Sequence, residues 1–135
     1  MSLLPIPVSP DAAATFARVL LAVLFLAHGV PKMKNIKGTV AFVRGTGFPG
    51  GAIFAVLFTL LEFFGAIAML LGFLVQILDI LFTLQMVATS IFAKTKLGKK
   101  FTGGYELDVL FLVLAITVVL LGPGPDPAAG PPAAA

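Results

Sequence analysis

The chain has 135 residues, of which 59% are hydrophobic and only 11% are charged. Because ordinary soluble domains carry about 25% charged residues, this composition excludes a water-soluble globular protein. The net charge of +3 does not indicate a nucleic-acid-binding surface, and we expect no nucleic acid partner. The chain contains no cysteine, which excludes disulfides, thiolate metal ligands and a dithiol relay of its own.

Four apolar segments are long enough to cross a lipid bilayer, which takes roughly 20 residues in a helix. The first follows Ser9-Pro10-Asp11, a sequence typical of a helix N-terminus. Gly72 leaves only a short turn between the second and the third. The sequence therefore predicts an all-α fold, a bundle of four transmembrane helices in one domain over 1–124, with a disordered Pro/Ala-rich tail over 125–135. The predicted helices are 12–31, 51–72, 74–93 and 106–122.

The segment after the first helix has a periodicity of its own. Met33, Ile36, Val40 and Val43 recur at spacings of three and four residues, with basic residues on a neighbouring face. This pattern predicts a short amphipathic helix at the membrane interface, with its lysines toward anionic headgroups. An irregular loop is the alternative.

The basic residues predict the orientation in the membrane. The loops after the first helix and before the fourth contain four each, whereas the N-terminal segment, the turn at Gly72 and the C-terminal tail contain none. Since lysine and arginine concentrate in cytoplasmic loops, we expect a multi-pass protein of the cell membrane with both termini outside. The basic loop residues are Lys32, Lys34, Lys37, Arg44, Lys94, Lys96, Lys99 and Lys100.

Several ionisable side chains lie inside the predicted helices, where each needs a partner or water. At about 1.5 Å rise per residue, Arg18, Glu62 and Asp79 lie at depths where their side chains meet. Helical periodicity places Gln76 and Asp79 on one polar face of the third helix. We therefore predict a buried cluster of Arg18, Glu62, Asp79 and Gln76, in which Glu62, the deepest acid, is the candidate catalytic residue. An ion pair that only fixes the helix register is the alternative.

A second polar cluster is predicted at the cytoplasmic end, with His28, Lys32, Tyr105, Glu106 and Asp108. The two acids lie in the first turn of the fourth helix, where the helix dipole also favours a purely capping role. A single histidine is a weak set of metal ligands, so we expect no bound metal.

Short motifs follow one another through most of the chain. They run from Arg18 through His28-Gly29-x-x-Lys32, Gly47-Phe48-Pro49, Glu62 with Gly65, Leu71-Gly72, Met86, Gly104-Tyr105-Glu106-Leu107 and Gly122-Pro123-Gly124. In order and spacing they resemble the DoxX family of small four-helix membrane proteins over residues 16 to 124. The resemblance implies functional roles for Arg18, His28, Glu62 and Glu106. The chain departs from the family pattern at Val75-Gln76, where members often have Thr-Arg, and at Asp79.

The resemblance also implies a function. It points to a small membrane subunit of a quinone-linked redox assembly, related to sulfur or oxidative-stress chemistry, with protein partners or further copies of the chain. The sequence has no redox cofactor motif, so any electrons come from a partner, and quinone is the ligand to expect. Any enzyme activity is then that of an oxidoreductase subunit. The alternatives are a non-catalytic scaffold or assembly factor and, less favoured without inverted repeats, a small-solute or proton transporter.

Overall fold

The computed structural model describes residues 9–122 and 124, and within that range it contains helices and turns but no strand. Four stretches are long and apolar enough to cross a membrane, and the last of them, Phe101–Leu121, includes a turn before its helix. The predicted all-α four-helix bundle is therefore confirmed. The predicted tail, 125–135, lies outside the described residues. The helices are α1 (Pro10–Lys34), α2 (Ile36–Gly45), α3 (Gly51–Leu70), α4 (Val75–Thr95) and α5 (Glu106–Leu121).

Polar side chains define the start of α1 and the break that follows it. The Ser9 hydroxyl accepts a hydrogen bond from the backbone N–H of Ala12 at 3.4 Å, and Pro10 is the first helical residue. Asn35 interrupts the helix with φ −140° and ψ 62°, and its side chain accepts from the N–H of Gly38 at 3.1 Å. As a result α2 is a separate short helix, and it packs on α3 where Val43 contacts Gly51.

Three phenylalanines join α1, α4 and α5 at the centre of the bundle. Phe25 stacks on Phe82 with ring centroids 4.1 Å apart, and the edge of Phe111 meets Phe25 at 5.2 Å. Leucines, isoleucines and phenylalanines cover the outer surface instead of polar residues. Such continuous apolar exposure is unstable in water and suits contact with lipid.

Helices α1 and α3 lie close together at Gly29. A Cβ atom on this residue would lie 2.9 Å from the backbone carbonyl carbon of Glu62, so only glycine fits without a shift of either helix. At the same level α3 contains a π-helical turn, Leu61–Gly65. Single π turns inside α-helices are frequent at functional sites. Glu62 is therefore fixed against α1 by an unusual segment of backbone.

The two ends of the bundle differ in charge. One end, the basic end, carries the C-termini of α1 and α4, helix α2 and the segment before α5. Seven lysine and arginine side chains are exposed there. The other end, the opposite end, contains the start of α1 and the turn between α3 and α4. The exposed residues of the basic end are Lys34, Lys37, Arg44, Lys94, Lys96, Lys99 and Lys100.

Candidate functional site

Three polar side chains from three helices meet inside the bundle. The Nζ atom of Lys32 on α1 lies 2.9 Å from each carboxylate oxygen of Glu62 on α3. Gln85 on α4 donates from its Nε2 atom to Oε1 of Glu62 at 2.6 Å. Glu62 and Gln85 are almost completely buried, while about two-fifths of the Lys32 side chain is exposed. We call Lys32, Glu62 and Gln85 the central triad.

This grouping corrects the predicted one, in which Glu62 belongs with Arg18 and Asp79. Gly29 contacts Glu62, and Arg18 precedes Gly29 by eleven residues, which is roughly 16 Å along a helix. Arg18 and Asp79 are both buried nearer the opposite end. Within the described part of the chain, no residue donates a hydrogen bond to either carboxylate oxygen of Asp79. Glu62 instead joins Lys32, which was predicted in the other cluster.

An aromatic cavity of about 140 Å³ lies on one side of the central triad, between α2, α3 and α4. All three triad residues line it. Phe48 packs edge-on against both Phe54 and Phe92, at 5.7 and 5.4 Å, and so ties α3 to α4 at the cavity wall. Phe42 and Phe54 are also exposed on the outer surface, so the cavity reaches the surface that faces lipid. The phenylalanines that line the cavity are Phe42, Phe48, Phe54, Phe58 and Phe92.

A smaller cavity of about 70 Å³ lies on the other side of Lys32 and Glu62, between α1, α4 and α5. His28 and Asp108 line it as well, so four ionisable side chains face one small space. His28 is held edge-on against Phe111, with ring centroids 5.1 Å apart. We call this space the polar cavity. Lys32 and Glu62 belong to the walls of both cavities.

The remaining predicted residues lie apart from the central triad. Glu106 accepts a hydrogen bond from the backbone N–H of Gly103 at 2.7 Å, and Tyr105 packs on Phe101, so both stabilise the turn before α5. Gln76 is exposed near the start of α4 and shares a cavity of about 200 Å³ with Asp79. The described residues contain no group of three or more His, Asp or Glu that could hold a metal ion.

Gln85 is the site residue that the sequence analysis missed. The predicted polar face of the third helix contains Gln76 and Asp79 and does not include Gln85. A signal was present, because an amide in the middle of an apolar helix needs a hydrogen-bonding partner from another helix. Its side-chain carbonyl oxygen is buried and accepts no hydrogen bond from the described residues.

Comparison with known proteins identifies the family. The DoxX family model matches residues 13–95, which include the whole central triad and leave out α5. The chain belongs to the DoxX family. This DoxX protein is 30% identical over 105 residues to a Bacillus subtilis protein named "Putative oxidoreductase CatD", covering 78% of the chain and 75% of CatD.

Two Escherichia coli proteins are also similar to this DoxX protein. The inner membrane protein YqjF is 34% identical over 119 residues, covering 84% of this chain and 87% of YqjF. The inner membrane protein YphA is 31% identical over 75 residues, covering 56% of this chain and 54% of YphA. No solved structure matches the chain. These relatives support a multi-pass membrane protein.

Proposed function

We propose that this DoxX protein is the membrane subunit of a redox assembly and binds the ring of a quinone in the aromatic cavity. The supporting observation is the position of the central triad at the polar side of a phenylalanine-lined space that reaches the lipid-facing surface. An aromatic head group with two polar oxygens and a long apolar tail suits this arrangement. The ring lies among phenylalanines, and the tail leaves past Phe42 and Phe54 into lipid.

Size and hydrogen bonding both support a ring ligand. An apolar cavity of roughly 150 Å³ in another protein binds one benzene ring, and the aromatic cavity measures about 140 Å³. The buried carbonyl oxygen of Gln85 needs a donor, which a quinol hydroxyl supplies. An ammonium group has three N–H donors, and the Glu62 oxygens take at most two of those on Lys32. The third is available to a quinone carbonyl.

A bound quinone supplies the assembly with an acceptor for two electrons and two protons. The chain has no cysteine and no cofactor motif, so a flavin or metal centre of a partner protein provides the electrons. The residues of this chain hold the ring, exclude bulk water with phenylalanines, and provide Glu62 and Lys32 as groups that exchange protons. CatD carries the word oxidoreductase in its name, which is consistent with this role.

Two glutamine-to-leucine variants in the same helix test whether a quinone binds beside Gln85. Gln85→Leu removes the buried acceptor, whereas Gln76→Leu changes an exposed residue near the other end of α4. The purified proteins in lipid nanodiscs are photolabelled with an azidoquinone in competition with decylubiquinone. One hydrogen bond contributes about 0.5–1.5 kcal/mol, so Gln85→Leu should weaken competition roughly three- to tenfold, and Gln76→Leu should leave it unchanged. Equal competition in both variants refutes the proposed site.

The redox role needs a second measurement, on the assembly that co-purifies in mild detergent. Glu62→Gln keeps the shape of the side chain and one acceptor oxygen but removes the charge and proton exchange. Because the ion pair with Lys32 is lost, we expect this variant to accumulate less than the parent, and we expect the purified assembly to lose quinone-dependent turnover per molecule. If it turns over at the parental rate, Glu62 is a structural polar residue and the non-catalytic scaffold is the better description.

We also infer that the basic end faces the cytoplasm, with both termini on the other side. Seven exposed basic residues at one end support this orientation, since lysine and arginine concentrate in cytoplasmic loops. The chain lacks cysteine, so a single introduced cysteine can be labelled without background from native thiols. Lys99→Cys should resist an impermeant maleimide in intact cells, while Phe73→Cys, in the turn at the opposite end, should react. Labelling of Lys99→Cys from outside rejects the orientation.

A further inference from the structure

A pair of ionisable side chains, Lys32 and Glu62, separates the two cavities. Lys32 and Glu62 line both the aromatic cavity and the polar cavity, and Glu62 is only 4% exposed. A ring bound in the aromatic cavity therefore has this pair on one side and the polar cavity behind it. The phenylalanines that line the aromatic cavity offer no proton-exchanging group. The pair is therefore the ionisable contact between a bound ring and the polar cavity.

The polar cavity has the size and the lining of a space that holds water. A buried water needs at least roughly 10–15 Å³ and two to four polar partners, and its share of liquid volume is about 30 Å³, so about 70 Å³ accommodates roughly two molecules. His28, Lys32, Glu62 and Asp108 provide charged or polar groups on its walls, and Thr89 adds a hydroxyl. Genuinely empty cavities are lined by apolar groups, unlike this one.

The polar cavity also reaches the protein surface at the basic end. His28 is exposed, and Asp108 is partly exposed in the first turn of α5. The charged and titratable groups that face Asp108 are Lys99 from the preceding segment and Lys32 and His28 from α1. The groups that face Glu62 are Lys32 and the amide of Gln85. A chain of exchangeable groups thus runs from the exposed histidine and aspartate to the buried glutamate.

We propose that the polar cavity is a water-filled inlet through which His28 and Asp108 carry protons between the basic end and Glu62. The delivery of these protons to a quinone rests on the proposed quinone site. The presence of water in the polar cavity does not depend on that site. The rival explanation is structural: Asp108 stabilises the N-terminus of α5 through the helix dipole, and His28 only packs on Phe111. That explanation predicts a dry cavity and no effect of either side chain on proton supply.

Two cysteines introduced at neighbouring positions of α4, in separate variants, test whether the polar cavity contains water, and the experiment needs no quinone. Met86→Cys replaces a residue that lines the polar cavity, and Val87→Cys places a thiol at the same depth on the lipid-facing surface. Silver ions, which travel in water and fit small spaces, are added to the proteins in nanodiscs, and the remaining thiols are counted after denaturation with a fluorescent maleimide. We expect Met86→Cys to be protected at least tenfold faster than Val87→Cys. If Met86→Cys accumulates poorly, Thr89→Cys replaces it, and because Thr89 lines both cavities, Ala88→Cys, which lines the aromatic cavity only, is then the control.

The second experiment measures whether His28 and Asp108 supply protons for quinone reduction. In the co-purified assembly, His28→Gln and Asp108→Asn should each slow quinone reduction at least fivefold at alkaline pH, and added imidazole should restore the rate of His28→Gln. Binding of decylubiquinone should be unchanged. Equal silver protection of the two cysteines overturns the inlet and leaves the quinone site standing. Fast protection with unaltered pH profiles overturns the proton role of His28 and Asp108. Failure of the parent protein to bind quinone, with fast protection, rejects the proposed function but supports the inlet.

Discussion

The ion pair between Lys32 and Glu62 leads to a quantitative prediction about stability. Lys32→Met removes the charge and keeps most of the side-chain volume. At 2.9 Å and an effective dielectric constant of 20, the attraction between two unit charges is about 6 kcal/mol, and desolvation offsets much of it. Breaking a fully buried pair from one side costs about 3–5 kcal/mol. Because the Lys32 side chain is 39% exposed, we expect a smaller loss of about 2–3 kcal/mol.

A double-mutant cycle separates the pair from other effects of the substitution. Glu62→Gln combined with Lys32→Met leaves no stranded charge, so the double variant should be more stable than the sum of the single losses predicts, by about 1–3 kcal/mol. Lys34→Met is the matched control, because Lys34 is exposed two residues further along α1. The free energy of unfolding of Lys34→Met should stay within about 0.5 kcal/mol of that of the parent, as is usual for substitutions at surface positions.

The assay is unfolding by sodium dodecyl sulfate in mixed micelles, followed by circular dichroism. The chain has no tryptophan and one tyrosine, so loss of helical signal reports better than fluorescence. Two results refute the reasoning. The first is a Lys32→Met variant as stable as Lys34→Met. The second is a cycle in which the single losses add, since the two side chains then do not interact.

Two further predictions use the same assay. Gly29→Ala and Gly45→Ala each add a Cβ to a helical glycine, but the added Cβ meets the backbone at Glu62 in the first and nothing within 4 Å in the second, so the first should be less stable than the second by about 1–3 kcal/mol. Asp79→Leu should be neutral or stabilising, because no described residue donates a hydrogen bond to its buried carboxylate. A loss above about 2 kcal/mol for Asp79→Leu contradicts that reasoning.

The sequence predicts the fold well because the signals are long and redundant. Each candidate span covers 20–25 residues, most of them apolar, and glycine or proline lies at most helix ends. The amphipathic periodicity also predicts α2, whose N-terminus the Asn35 side chain then caps. The inward face of α3 follows from its small residues at spacings of three and four, and Ala55, Thr59 and Glu62 are all buried there.

The candidate site could be predicted only in part, because the sequence of a single helix does not determine how far it is shifted along the bundle axis relative to its neighbours. Depths counted from the helix ends suggested that the long side chains of Arg18 and Glu62 meet. In the structure α1 extends beyond the level of α3 at the opposite end, and the close approach at Gly29 sets Glu62 beside the last turns of α1. Lys32, counted as a loop residue, is therefore helical and turns inward to Glu62.

The energetics of the central triad favour a role in binding over one in stability alone. Well-packed apolar side chains of similar volume are often as stabilising as a buried ion pair, or more so. The unsatisfied carbonyl oxygen of Gln85 adds a cost of about 1–3 kcal/mol. In a protein that is only a scaffold, nothing offsets this unfavourable energy. A ligand that donates a hydrogen bond to the Gln85 oxygen removes it. The aromatic cavity is the space from which such a donor can approach Gln85. Gln85→Leu removes this cost together with the hydrogen bond from Gln85 to Glu62, and because a hydrogen bond to a charged group contributes about 1.5–3 kcal/mol, the two effects should nearly cancel in the stability of the bundle. A bundle of nearly parental stability, with weakened quinone competition, is the combination that a binding site predicts.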